Sequence, residues 1–153
     1  MLMARRKLSA SLEDYLEAIH HIESEKGAAR AKDIAERVGV SRPSVTGALK
    51  TLAERELVNY APYDVITLTA GGKAAAKDVV RRHTVLREFF TKVLAAGEQE
   101  ANEAACKMEH AVPPAILQRF VEFAKYIDED RGHVRDHIAQ FAAYHERQSG
   151  GGR

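Results

Sequence analysis

The segment that most restricts the fold is ARAKDIAERVGVSRPSVTGALKTLAERELVNY, residues 29–60. Ala31 to Val38 reads as a short helix with Ile34, Ala35 and Val38 on its inner face. Gly39 permits a positive φ for a tight turn. Ser41 can cap the next helix, and Pro43 sits in its first turn, where a missing N–H costs little. Val45, Ala48, Leu49 and Leu52 then line a buried side. A short helix, a glycine turn and a second helix with a small, polar start are helix-turn-helix grammar. Two short strands follow, Leu57–Tyr60 and Val65–Thr69, joined by a turn at Pro62–Asp64. A hairpin directly after the second helix makes a winged helix-turn-helix.

The flanks extend this unit. Ser11 with Asp14 has the form of an N-cap with an acidic third position. Leu12, Tyr15, Leu16, Ile19 and Ile22 recur at helical spacing up to a stop at Gly27. Thr69 caps a long helix, Ala70 to Ala95, with Val79, Leu86, Phe90 and Val93 among its apolar positions. Gly97 breaks it, and helices are expected over Glu98–Ala111, after Pro113 and Pro114, and over Asp130–Arg147. The reading is a mostly α fold: a winged helix-turn-helix over residues 1–69, an all-helical region over 70–147 and a flexible tail over 148–153. The second region is more apolar than a DNA reader needs, which points to a dimer interface plus a sensor.

Composition narrows the class. With 153 residues, 45% apolar and 29% charged, the chain suits a globular protein. No apolar run approaches the roughly 18 residues of a membrane helix. The basic trio Arg5, Arg6 and Lys7 precedes no apolar stretch, so no secretory signal is expected, and the single cysteine cannot form an internal disulfide. Both favour the cytoplasm. The net charge of +1 neither demands nor excludes nucleic acid. H-E-x-x-H, G-x-S-x-G and P-loop patterns are absent, so no enzyme is expected.

One cluster carries chemistry. Cys106, Glu109 and His110 stand at i, i+3 and i+4, so a helix would place them on one face. Thiolate, carboxylate and imidazole are all ligands for divalent first-row metals. Taken alone, the triplet leaves two readings open, a metal site or a coincidence in a packed helix. Asp14 and Glu17 share a face of the first helix, where a solvated acidic surface is the common alternative. His83 lies near the inner face of the long helix, where a hydrogen-bonded core histidine is commoner than a ligand.

Together these pieces resemble one family. SLEDYLEAIHHI, the helix-turn-helix segment, RRHTVLREFF and EAACKMEH, in that order, are similar to the metal-dependent repressors of the diphtheria toxin repressor and manganese transport regulator family. The resemblance runs from about Ser11 to Tyr144. It implies a homodimer with a helical dimerisation and metal-binding region, acting on double-stranded operator DNA to repress metal uptake genes when Fe(II) or Mn(II) is bound. By motif, the implied metal ligands are Asp14, Glu17, His83, Cys106, Glu109 and His110. The sequence is a hybrid: its Asp-Tyr-x-Glu resembles the manganese branch and its Cys-x-x-Glu-His the iron branch. Arg87 stands where many members have a second-site glutamate, and Asn102 where the iron branch has a second-site histidine. Those departures argue against a separate ancillary site of the iron type. A mixed sulfur, oxygen and nitrogen site would also take Co(II) and Zn(II) in vitro, with Mn(II) weakest in intrinsic affinity.

On the DNA side, Ser41, Arg42, Pro43, Ser44, Thr46 and Lys50 are the candidates on the recognition helix. Arg42 could read a guanine or clamp a phosphate, and Lys50 and the wing near Tyr63 would touch backbone. The alternative is a winged-helix regulator that senses redox state through Cys106, or a non-metal ligand.

Overall fold

The local signals in the first half settle into helices with defined ends. The structure, a computed structural model, describes residues 7–61, 63, 65–130 and 132–150. Arg5, Arg6, and the turn residues Pro62 and Asp64 lie outside the described residues, as do residues 151–153 of the expected tail. Helix α1 (Ala10–Lys26) is capped by Ser9, whose hydroxyl accepts the Leu12 N–H at 3.3 Å, and ends at Gly27 with φ 83°. The cap is therefore Ser9 and not Ser11. Both serines satisfy the local pattern, and Leu8, packed with Leu12 against the same core, selects the earlier one.

Helices α2 (Ala31–Val38) and α3 (Arg42–Glu54) form the helix-turn-helix. Gly39 takes φ 76° between them, and the Ser41 hydroxyl accepts the Ser44 N–H at 3.4 Å. The wing strands β1 (Val58–Asn59) and β2 (Thr67–Leu68) are shorter than expected and pair antiparallel, Val58 with Leu68 and Asn59 with Thr67. The loss is at the strand ends: Leu57 donates its N–H to Leu52 at the end of α3. Ile66 instead bridges to Ala29, which anchors the wing beside the start of α2.

Two residues hold the wing in place. Glu23 of α1 accepts the Leu68 N–H at 2.9 Å and an ion pair from Lys73 at 3.3 Å. Thr69 donates to the Glu56 carbonyl at 2.7 Å and accepts the Gly72 N–H at 3.0 Å, which caps the next helix, α4 (Ala70–Lys92). Gly72 is a close-approach glycine, because a Cβ there would collide with the Leu57 backbone oxygen.

α4 ends at Lys92 and not Ala95, which leaves the helix at φ 54°. α5 (Glu98–Met108) is shorter than expected, with Glu109 at its C-cap. α6 (Pro114–Glu129) restarts after Pro113 as expected. α7 (His133–Gly150) begins later than Asp130, whose carboxylate instead accepts the Val134 N–H at 2.6 Å. It continues through 148–150, which were expected in the tail.

By packing, the chain divides into two compact units at Val80/Arg81, inside α4. The physical reason is packing: Ala75 and Ala76 of α4 belong to the reader's core. In that unit Leu16, Ile19, Ile34, Val45, Leu49 and Leu52 have no exposed surface. In the second unit Leu86, Phe90, Ala101, Ala105 and Leu117 form a smaller core, with Phe89 edge-on to Phe120 at 4.6 Å between centroids. α7 buries none of its described residues. Among the described residues, no helix is long and apolar enough to cross a membrane.

Candidate metal centre and nucleic-acid surface

In the second unit, α4 and the C-terminal end of α5 bring four expected ligands together. His83 of α4 places Nδ1 2.7 Å from Glu109 Oε2 and 3.7 Å from Cys106 Sγ. His110 Nε2 stands 3.4 Å from Glu109 Oε1. The triplet does not all lie on α5: the helix ends at Met108, Glu109 keeps α-helical backbone as the cap, and His110 is in the following turn. The Glu109 carboxylate is only 1% exposed, while the Cys106 thiol is exposed. A carboxylate so deeply buried between two imidazoles requires positive charge or strong donors close by.

Ligands about 2.0–2.1 Å from an ion stand roughly 3 Å from one another. Three contacts are of about that size, Glu109 to His83, Glu109 to His110 and, somewhat longer, His83 to Cys106, and the mix of N, O and S donors suits a first-row divalent ion. The residues present therefore fit such an ion.

In the first unit, Asp14 and Glu17 stand one turn apart on α1, Asp14 exposed and Glu17 half-buried. Glu17 faces His21 at 3.6 Å. Nearby His20 has its pKa lowered, first by burial and then by the charges of His21 and Lys77. His133 and His137 are exposed on α7.

Two residues of the centre were not singled out as contributors by sequence. Arg82 donates from Nη1 to the Glu109 carbonyl at 2.6 Å, holding the end of α5 against α4. Nothing local in the sequence announces that bond. Asn102, whose Oδ1 is 2.9 Å from His83 Nε2, could have been found, since it stands one helical turn before Cys106 on the same stripe.

The reader's surface is equally specific. Ser41, Arg42, Pro43, Ser44 and Lys50 are exposed, and Thr46 is half-buried. Ser44 Oγ stands 2.9 Å from Ser41 Oγ, and the Thr46 hydroxyl donates to the Arg42 carbonyl at 3.2 Å. Those two hydroxyls therefore serve the helix first, and the Thr46 methyl is the part left for a base. A cleft of about 590 Å³ between α3 and the wing is lined by Arg30, Arg42, Thr46, Lys50, Tyr60 and Tyr63, among others. Lys26, Lys32, Arg37 and Lys73 are all ion-paired to acidic neighbours. Arg30, Arg42 and Lys50 have no ion pair among the described residues. Arg30 and Tyr60 were not among the expected DNA contacts, because their place beside α3 arises only when the Ala29–Ile66 bridge forms.

Comparison with known proteins decides the family. Residues 7–66 match the N-terminal DNA-binding domain of iron-dependent repressors, and residues 69–136 match their metal-binding and dimerisation domain. An uncharacterised helix-turn-helix transcriptional regulator of Methanocaldococcus jannaschii is 36% identical over 117 residues, covering 76% of this chain and 94% of that one. The regulator MntR of Bacillus subtilis (strain 168) is 32% identical over 126 residues, covering 82% and 88%. The chain belongs to the diphtheria toxin repressor and manganese transport regulator family. Members are metal-dependent, DNA-binding transcriptional regulators, not enzymes. One solved structure similar to this family member is a manganese-dependent transcriptional repressor in complex with manganese, at 33% identity and a TM-score of 0.66. The match covers 71% of this chain, and the chain spans only 50% of that structure's length.

Proposed function

We propose that the protein is a cytoplasmic, homodimeric repressor of iron or manganese uptake genes, activated by Fe(II) or Mn(II). The observation that carries this reading is the buried Glu109 carboxylate, with His83 and His110 against it and the Cys106 thiol against His83. Asp14 and Glu17 complete the ligand set on the resemblance alone. A divalent ion would supply positive charge to this carboxylate-rich set. The chain's own residues then do the positioning: α4 and the end of α5 hold the donors, and Arg82 ties the two together. Metal occupancy would then bias how two recognition helices are presented to two half-sites, which is a population shift. The cations Arg30, Arg42 and Lys50 that line the cleft beside α3 would engage the operator's phosphates.

The thiol favours Fe(II) slightly over Mn(II), since intrinsic affinity rises from Mn(II) to Fe(II) and sulfur suits the softer ion. The test is operator affinity measured with and without each metal, alongside anaerobic calorimetry. Tighter DNA binding with metal is expected, and an affinity unchanged by either ion refutes the reading. A redox switch at Cys106 is the alternative that the exposed thiol beside His83 also serves. Under that reading Cys106→Ser abolishes an oxidant response while metal response survives.

A further inference from the structure

His83 is engaged from both sides. Its Nδ1 faces Glu109 Oε2 at 2.7 Å and Cys106 Sγ at 3.7 Å, while its Nε2 lies 2.9 Å from Asn102 Oδ1. A neutral imidazole has one N–H and one lone pair, and an amide oxygen can only accept. The contact with Asn102 therefore needs the N–H on Nε2, and in a neutral ring that turns the Nδ1 lone pair towards Glu109 and Cys106, where an ion shared with the carboxylate would meet it. Asn102 lies one turn before Cys106 on α5, so the helix that presents the thiol also presents the group that orients the imidazole.

We propose that Asn102 is the positioning residue of the metal centre: it fixes His83 as the Nε2–H form, commits Nδ1 as the metal donor and closes the outer edge of the ring to a second ion. The proposal rests on the metal-sensor reading and deepens it. Partners of a metal-ligating imidazole hold its tautomer and raise its basicity, and their loss costs about 10–100-fold in affinity. Asn102 is exposed, so the lower end of that range, about 10-fold, is expected here. An asparagine is a poor ligand where a second imidazole would be a good one, so the same side chain that orients His83 also occupies its Nε2.

The test compares the full-length chain with Asn102→Leu and Asn102→Asp. Anaerobic titration with Co(II) should show about 10-fold weaker binding for Asn102→Leu, and binding at or above the wild-type level for Asn102→Asp, which keeps an acceptor. In the Zn(II)-loaded protein, long-range proton–nitrogen NMR of the His83 ring should show a protonated Nε2 and a metal-bound Nδ1. Asn102→Leu should give mixed signals if the fold, followed by thermal unfolding, is kept. Wild-type affinity in Asn102→Leu, or zinc on Nε2 in the wild-type chain, overturns the proposal while leaving the metal sensor intact. Failure of the wild-type chain to bind Co(II) or Zn(II) overturns both. Weakening by Asn102→Leu that Asn102→Asp does not rescue also overturns it, because a purely structural role would then account for the loss.

Discussion

The reader unit is finished and the helical unit is not. In the first, every element contributes to one core, and Leu16, Ile34, Leu49 and Ile66 are all but sealed from solvent. In the second, two of the five residues at the core's centre are alanines, and α7 buries nothing. Phe123, Tyr126, Phe141 and Tyr144 are exposed, and the most deeply buried polar group is a carboxylate. A unit built this way is completed by what binds to it. That suits the metal-binding and dimerisation domain it matches, whereas the reader needs only its own side chains.

The comparison can be broken most severely in the reader. Gly72→Ala forces a methyl into the Leu57 carbonyl, and a loss of more than about 3 kcal/mol is expected, the upper end for overpacking. Leu49→Ala should cost about 2–5 kcal/mol. Both should appear in chemical denaturation and should abolish operator binding at any metal concentration. Glu109→Gln comes next: it should lower metal affinity by more than about 100-fold, beyond what loss of an outer partner costs, while the reader's denaturation stays unchanged. Metal binding at wild-type strength would sever Glu109 from the centre. Arg30→Ala should weaken operator and random DNA alike and reduce the salt slope by about one. A loss confined to one operator sequence would instead make Arg30 a base reader. Phe141→Ser should leave the unfolding of the monomer within about 0.5 kcal/mol while shifting the sedimentation profile towards monomer. The smallest effect concerns His20. Its pKa is lowered in the fold, so the unfolded chain takes up the proton first as acidity increases. Its stabilising share is complete above the ordinary value of 6.5 and declines as pH falls through it. His20→Gln should flatten that part of the stability–pH curve.

What could be read from sequence was what is set locally. Ala31–Val38, Gly39 and Ser41 follow from periodicity, a left-handed turn and a cap, each decided within a few residues. Ser9 and Ser11 show the limit, because two equivalent caps are separated only by where Leu8 packs. The cysteine motif was legible as chemistry, but the burial of Glu109 was not, since α4 supplies both His83 against its side chain and Arg82 against its carbonyl. Asn102 was visible only as a departure from a family pattern until its distance to His83 gave it a part. The DNA candidates on α3 were legible from the helix start, whereas Arg30 and Tyr60 depended on the bridge that folds the wing back.

Glu23 carries a mechanical consequence. It lies on α1 six residues beyond Glu17, and its carboxylate accepts the backbone N–H of Leu68 in the wing. A side chain that grips backbone transmits displacement with little slack, because the peptide cannot rotate away from it without losing the bond. The wing is thus geared to α1, and a small turn of that helix about its axis would open or narrow the gap between the wing and α3. The width available to a DNA backbone would then be adjusted from the opposite end of the same helix.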